Sequence, residues 1–227
     1  QHIFRSDHFQ LVSGLGHFDG NLTQVTPIGT EEIDTSHANF YAYSLIHYPE
    51  NFTWTLGASA DFVEGLVDRD QFNPKIGVMW NLFPSTTLRA AAFRSLTRTL
   101  LSNQTLEPTQ VAGFNQFFDD AAGSTNSWRY GVGLDQKFTD AVYGGLELSK
   151  RDLEVPQTDR VTHDVTVFDW EDALLRGYLY WAPLNWIALS AEYQFERLDR
   201  DPDFAEGDLV GVKTHRFPLG INFFHPC

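Results

Sequence analysis

The sequence predicts an all-β protein: an antiparallel up-and-down transmembrane β-barrel with about ten strands present, read as part of a larger barrel. Three observations predict it. Apolar and polar residues alternate at period two along segment after segment. Tight turns alternate with long polar stretches, and the apolar face carries aromatic residues toward the strand ends.

Strands are expected near 8–17, 37–48, 51–63, 71–83, 86–97, 127–138, 140–153, 171–182, 185–198 and 211–224. In the third, Phe52, Trp54, Leu56, Ala58, Ala60 and Phe62 share one face, and Thr53, Thr55, Gly57, Ser59 and Asp61 the other. The fourth sets Phe72, Ile76, Val78, Trp80 and Leu82 against Asn73, Lys75, Gly77, Met79 and Asn81. In 127–138, Trp128, Tyr130, Val132 and Leu134 oppose Arg129, Gly131, Gly133, Asp135 and Lys137. In 186–196, Ile187, Leu189, Ala191, Tyr193 and Phe195 oppose Ala188, Ser190, Glu192, Gln194 and Glu196. A helical period fits none of these. The closing stretch alternates Phe217, Leu219, Ile221 and Phe223 with Pro218, Gly220 and Asn222.

Several connections run from an aromatic or apolar residue through a Pro straight into the next strand, as in "HYPENFTW" (47–54), "LFPSTTLR" (82–89) and "YWAPLNWI" (180–187). Longer polar stretches fall near 18–36, 64–70, 98–126, 154–170 and 199–210. Placing all tight turns at one rim makes 98–126 a single long extracellular loop, because another full crossing there would put the 139–141 turn on the wrong rim. Paired strands must keep their apolar residues on one face. That rule sets Leu134 opposite Leu146 and Val132 opposite Leu148, and it sets Leu179 beside Leu189 and Arg176 beside Glu192.

Alternation alone does not say which face is wet. A polar face of Thr, Ser, Asn, Gly and charged residues, with aromatics flanking smaller apolar residues on the other, favours lipid outside. The polar-face residues Asp61, Lys75, Arg89, Arg129, Asp135, Glu147, Arg151, Arg176, Glu192 and Glu196 are the candidate lumen lining. They fit a conducting path or a structural charge network filling a narrow barrel, and their mixed signs argue against strong ion selectivity. A net charge of −14 argues against nucleic acid as a partner. No leader opens the chain and no run of about 18 apolar residues occurs, so neither a signal peptide nor a transmembrane helix is expected in it. A spanning barrel needs only ~10-residue strands.

Chemistry-bearing motifs are sparse, and no catalysis, cofactor or metal is expected. Asp199, Asp201 and Asp203 alternate as in a calcium loop, but Phe204 stands where the EF-hand pattern needs Gly. His163, Asp164, Asp169 and Asp172 invite comparison with rim proteases and carry no recognised spacing. The eight His residues form no metal-ligand pair, and the single cysteine, Cys227, offers no disulfide. The acidic "FFDD" (117–120) reads as a solvated loop.

The segment "FNPKIGVMWNLFPSTTLRAAAFRSLTRTLLSNQTLEPTQVAGFNQFFDD" (72–120) resembles the barrel portion of TonB-dependent-receptor-like outer-membrane proteins. With "WRYGVGLDQKF" (128–138), "YGGLELSKRDLEVP" (143–156) and "THRFPLGINFFHP" (214–226), it is more closely similar to the C-terminal barrel of bacterial tetratricopeptide-repeat outer-membrane proteins. The resemblance implies the bacterial outer membrane, lipid as a partner, a periplasmic repeat domain ahead of the barrel, further strands after it, and a role in transport or export. It carries over no catalytic residues. The chain itself holds neither a plug nor a repeat of about 34 residues. The ending "INFFHPC" is expected to begin another turn. Two rival functions are a non-conducting barrel that anchors such a domain or displays adhesive loops, and a soluble β-barrel binding an apolar ligand.

Overall fold

Backbone pairing follows chain order. The structure is a computed structural model that describes all residues except 27–28, 99–106, 160–161, 163, 205–208 and 225–227. Its strands are β1 (His2–Arg5), β2 (Phe9–Thr26), β3 (Gly29–Ile46), β4 (Phe52–Glu64), β5 (Arg69–Phe83), β6 (Thr86–Leu96), β7 (Gln110–Val111), β8 (Phe114–Asn115), β9 (Asn126–Lys137), β10 (Val142–Thr158), β11 (Val165–Leu184), β12 (Ile187–Arg200), β13 (Gly211–Arg216) and β14 (Leu219–Phe223). All but β7 and β8 join one twelve-stranded sheet in the order β1-β2-β3-β4-β5-β6-β9-β10-β11-β12-β13, with β14 also on β12. Every ladder is antiparallel. Among the described residues no ladder joins β1 to β13 or β14, so the sheet is an open wall.

Nine of the ten expected strands coincide with single observed ones and the tenth with two, and the differences have local causes. The stretches expected as loops at 18–36 and 154–170 are mostly strand, because β2 pairs with β3 out to Thr26↔Gly29 and β10 with β11 out to Thr158↔Val165. Along 18–36 polar residues stand on both faces, and along 154–170 apolar residues do, with Val155 buried on one face and Val165 and Val167 exposed on the other, so apolar alternation is lost while the backbone ladder continues; Asn21 Nδ2 donates to Asp34 Oδ1 across the first at 2.9 Å. The last expected strand divides into β13 and β14 at Phe217-Pro218. Pro218 has no N–H to donate, a gap tolerated on an edge strand, and its carbonyl still accepts from Glu192 N at 2.9 Å.

Leu146 stands opposite Leu134 and Leu148 opposite Val132, as the face rule requires. Around the β11–β12 turn the pairing is displaced by two residues from expectation. Leu179 faces Ala191 and Arg176 faces Gln194, with an irregularity between Trp181 and Leu184. A shift of two keeps every side chain on its face. Arg176 therefore still reaches Glu192 diagonally, Nε at 3.0 Å and Nη2 at 2.9 Å.

The two faces have inverted exposure. Large apolar side chains point outward into the open, among them Leu219 at 82%, Leu15 at 68% and Phe72 at 62% relative exposure, while Asn73 at 0%, Asp61 at 2% and Lys75 at 3% are buried on the other face. The outward band on β4 runs from Phe52 to Phe62, with Glu64 beyond it. Ten residue steps at ~3.3 Å make ~33 Å along the strand, or ~25 Å along the normal at a tilt of ~40°, the height of the apolar band of membrane barrels. Stacked aromatics edge the band: Phe52 against Trp54 and Trp80 (5.6 and 5.4 Å between centroids) at one end, Trp128 against Tyr130 (6.1 Å) at the other. Past Leu148 the outward residues of β10 turn polar, and Lys150 bridges Asp152 and Glu171 at 3.1 and 2.8 Å.

Candidate functional site: the polar inner face and its strap

Cross-strand register puts all ten candidate lining residues on the inner face. Asp61 comes from β4, Lys75 from β5, Arg89 from β6, Arg129 and Asp135 from β9, and Glu147 and Arg151 from β10; β11 adds Arg176, and β12 adds Glu192 and Glu196. They are not one continuous lining. Between β6 and β9 the chain turns back over this face, so the described residues 107–125 form a strap against it, with the β7–β8 hairpin at its deepest point. The segment expected as one long extracellular loop thus supplies the core of the inner face: Val111 and Phe114 are fully buried against Tyr43, Phe93 and Ala91.

Small residues in the wall make room for the strap. A Cβ on Gly77 would meet Ala112 Cβ at 2.8 Å, and one on Gly131 would collide with the Phe114 ring. The hairpin turn itself takes positive φ at Ala112 (47°) and Gly113 (84°), as a two-residue type I′ turn requires. Arginines then close over the strap's rings. Arg89 lies 5.0 Å from the centroid of Phe114, Arg98 lies 4.4 Å from Phe118, and Arg129 and Arg151 each lie 4.9 Å from Phe117. A guanidinium over a ring face gains electrostatically, most of all where water is excluded.

Three polar clusters carry the contacts. In the first, Asp61 accepts from Asn39 (2.9 Å), Asn73 (2.7 Å) and His37 (2.8 Å). Lys75 donates to the Arg94 carbonyl at 2.7 Å and stands 3.8 Å from Glu107, both side chains fully buried. Glu107 also accepts from Tyr43 at 2.6 Å and Arg98 at 2.5 Å, so the strap's own carboxylate neutralises the wall's cations. In the second cluster Arg89 binds Asp135 (2.6 Å) and Glu147 (3.4 Å), and Tyr178 also donates to Asp135. In the third, Arg151 spans Asp120 of the strap (2.5 Å) and Asp172 of β11 (3.1 Å). Apart from these, Arg176 grips Glu192 and Arg216 meets Glu196 at 3.1 Å.

"FFDD" is therefore not simply a solvated loop: Phe117 and Phe118 are half-buried under arginines and Asp120 is paired. Arg98, Glu107, Tyr43 and the strap phenylalanines lay outside the sequence-predicted set. The available signal was "AGFNQFF" (112–118), three Phe residues in a supposed loop beside an A-G turn. Of the rim residues weighed for catalysis, Asp172 pairs with Arg151, Asp169 sits opposite Glu154 on the outer face, and His163 is outside the described residues. Cys227, the end of the "INFFHPC" turn and part of the acidic 199–208 stretch also lie outside them.

No protein-family model matches the chain, and no curated protein does. Solved structures do. A chain in the FpvAI–pyocin S2 complex aligns with a TM-score of 0.56 at 12% identity, over 95% of this chain and 34% of that one. The outer membrane transporter YddB from Escherichia coli gives 0.52 at 11% identity, over 88% and 32%. A mutant of the ferric enterobactin receptor PfeA from Pseudomonas aeruginosa gives 0.51 at 13%, over 96% and 44%. The likeness is one of fold, that of outer-membrane β-barrels, and the chain spans about a third to under half the length of these proteins.

Proposed function

We propose that this chain forms part of the wall of a β-barrel in a bacterial outer membrane and serves transport or export across that membrane. The observation that carries the reading is the inverted exposure: an outward apolar band edged by aromatics, and an inner face of buried Asp, Lys, Arg, Glu and Asn. Such a surface suits lipid outside and a polar passage inside. No catalytic step enters this reading. The acidic and aromatic strap would set the width of the passage, and the ten lining residues would contact the solute where the strap leaves them open.

A second reading, a non-conducting barrel that anchors a periplasmic tetratricopeptide-repeat domain, is favoured by the strap's cover of the inner face and by the sequence resemblance over roughly 50–226. Planar-bilayer recording of the full-length protein separates the two. Discrete conductance steps support transport, and a silent bilayer at every voltage overturns it. Monodisperse behaviour in buffer without detergent would overturn both.

A further inference from the structure

Arg129 breaks a rule that the other buried cations of the inner face obey. Lys75 and Arg89 each have a carboxylate in contact, and among the described residues Arg129 has none, although only 6% of it is exposed. Its Nη1 donates to the Asn115 carbonyl at 3.1 Å and its Nη2 to Ser149 Oγ at 2.9 Å, and its buried Nε has no acceptor. A guanidinium carries five N–H donors, so three are unused, and a buried charge normally has an ionic partner. The nearby carboxylates are already engaged, Asp120 and Asp172 by Arg151 and Glu196 by Arg216.

Arg129 lines a cavity of about 380 Å³ between the strap and strands β10 to β13. That volume is at the small end of ligand sites, which run ~300–1,000 Å³. Its wall is mixed: Arg151 and Arg200 line it beside Arg129, and Leu153, Leu174, Leu198 and Val212 add an apolar patch, with Trp170 beside them. Register makes the patch continuous, since Leu198 pairs with Val212 and Leu153 with Trp170. An apolar patch on a polar face, next to a cation with spare donors, is the composition of a site for an amphiphilic anion.

We propose that this cavity binds a small monoanionic solute with an apolar body, its carboxylate on the Arg129 guanidinium and its hydrocarbon part against Leu198 and Val212. A second negative charge is disfavoured, because Asp120, Asp172 and Glu196 also line the cavity and balance its three arginines, Arg129, Arg151 and Arg200. The inference rests on the reading of the inner face as open to solutes.

The test is ligand-observed NMR titration of the full chain in detergent micelles with phenylacetate and its neutral twin phenylacetamide, which share size and ring. Phenylacetate is expected to bind saturably and at least tenfold more tightly. Arg129→Gln should abolish that preference, Arg129→Lys should keep part of it, and Lys150→Gln, on the outward face of β10, should leave it intact. Equal affinity for the twins, or a preference that survives Arg129→Gln, overturns the site. If Arg129→Gln does not fold, Leu198→Phe carries the test: filling the cavity must abolish phenylacetate binding, and retained binding overturns the proposal. A protein that conducts but does not bind phenylacetate loses this site and keeps the transport reading; one that binds without conducting keeps the site alone.

Discussion

Replacing Phe114 by Ala is expected to loosen the strap while leaving the sheet in place. The ring is fully buried, seated over Gly131, with the Arg89 guanidinium 5.0 Å from its centroid. Truncating a packed Phe to Ala costs ~3–5 kcal/mol, and the lower end applies to a strap with one side toward water. The lost guanidinium contact adds ~0.5–2 kcal/mol. A total of about 3.5–5 kcal/mol raises the detached population by about two and a half to three and a half powers of ten, at ~1.4 kcal/mol per decade. Hydrogen exchange reads this directly. The amide of Gln116 donates to Thr109 O at 2.8 Å and that of Arg98 to Phe118 O at 2.7 Å, so both should lose protection by that factor. Val132, inside the β9–β10 ladder, should not change. A loss below tenfold at Gln116, or an equal loss at Val132, would show that Phe114 does not anchor the strap and would refute the reasoning.

Removing the strap's carboxylate with Glu107→Ala should lower thermal stability in detergent by ~3–5 kcal/mol, because it strands the buried Lys75; the double change Lys75→Met with Glu107→Leu should recover most of the loss. Val132→Arg, in the middle of the outward band, should cost ~2–4 kcal/mol in refolding into lipid vesicles, whereas Ser190→Arg on the inner face should cost far less; equal costs would contradict the assignment of faces. At the tight turn, Lys137 donates to Asp140 at 2.6 Å and holds its carboxyl below the usual carboxylate range. A depressed pKa adds stability that is present above the unfolded-state value, ~4, and is lost as pH falls through the folded value. The stability curves of the wild type and Asp140→Asn should therefore converge in acid, and a gap that persists or widens there would contradict the pairing.

Much of this molecule could be read without coordinates because β-structure in a two-faced sheet writes itself as period two. Phe52 to Phe62 required a strand with one apolar face whatever the surroundings. The Leu134–Leu146 pairing required only that faces match across a tight turn. The same reasoning missed the β11–β12 register by two residues, since a shift of two leaves the faces unchanged and only turn geometry distinguishes the alternatives. It also missed the paired extensions beyond the band at 18–26 and 29–36, where polar residues on both sides erase the pattern while backbone hydrogen bonds persist.

The strap shows the limit of local reading. Phe114, Phe117 and Phe118 have no strand period, and nothing adjacent in the chain says that Arg89, Arg98, Arg129 and Arg151 will close over them. Those contacts join residues tens of positions apart, brought together by the order of strands in the sheet. The sequence by itself determined which residues share a face and which face is apolar, because side-chain alternation is a property of each strand alone. That the polar face is covered from within, and that Arg129 is left beside this cavity without an ionic partner among the described residues, depends on where a returning segment comes to rest, which no single strand encodes.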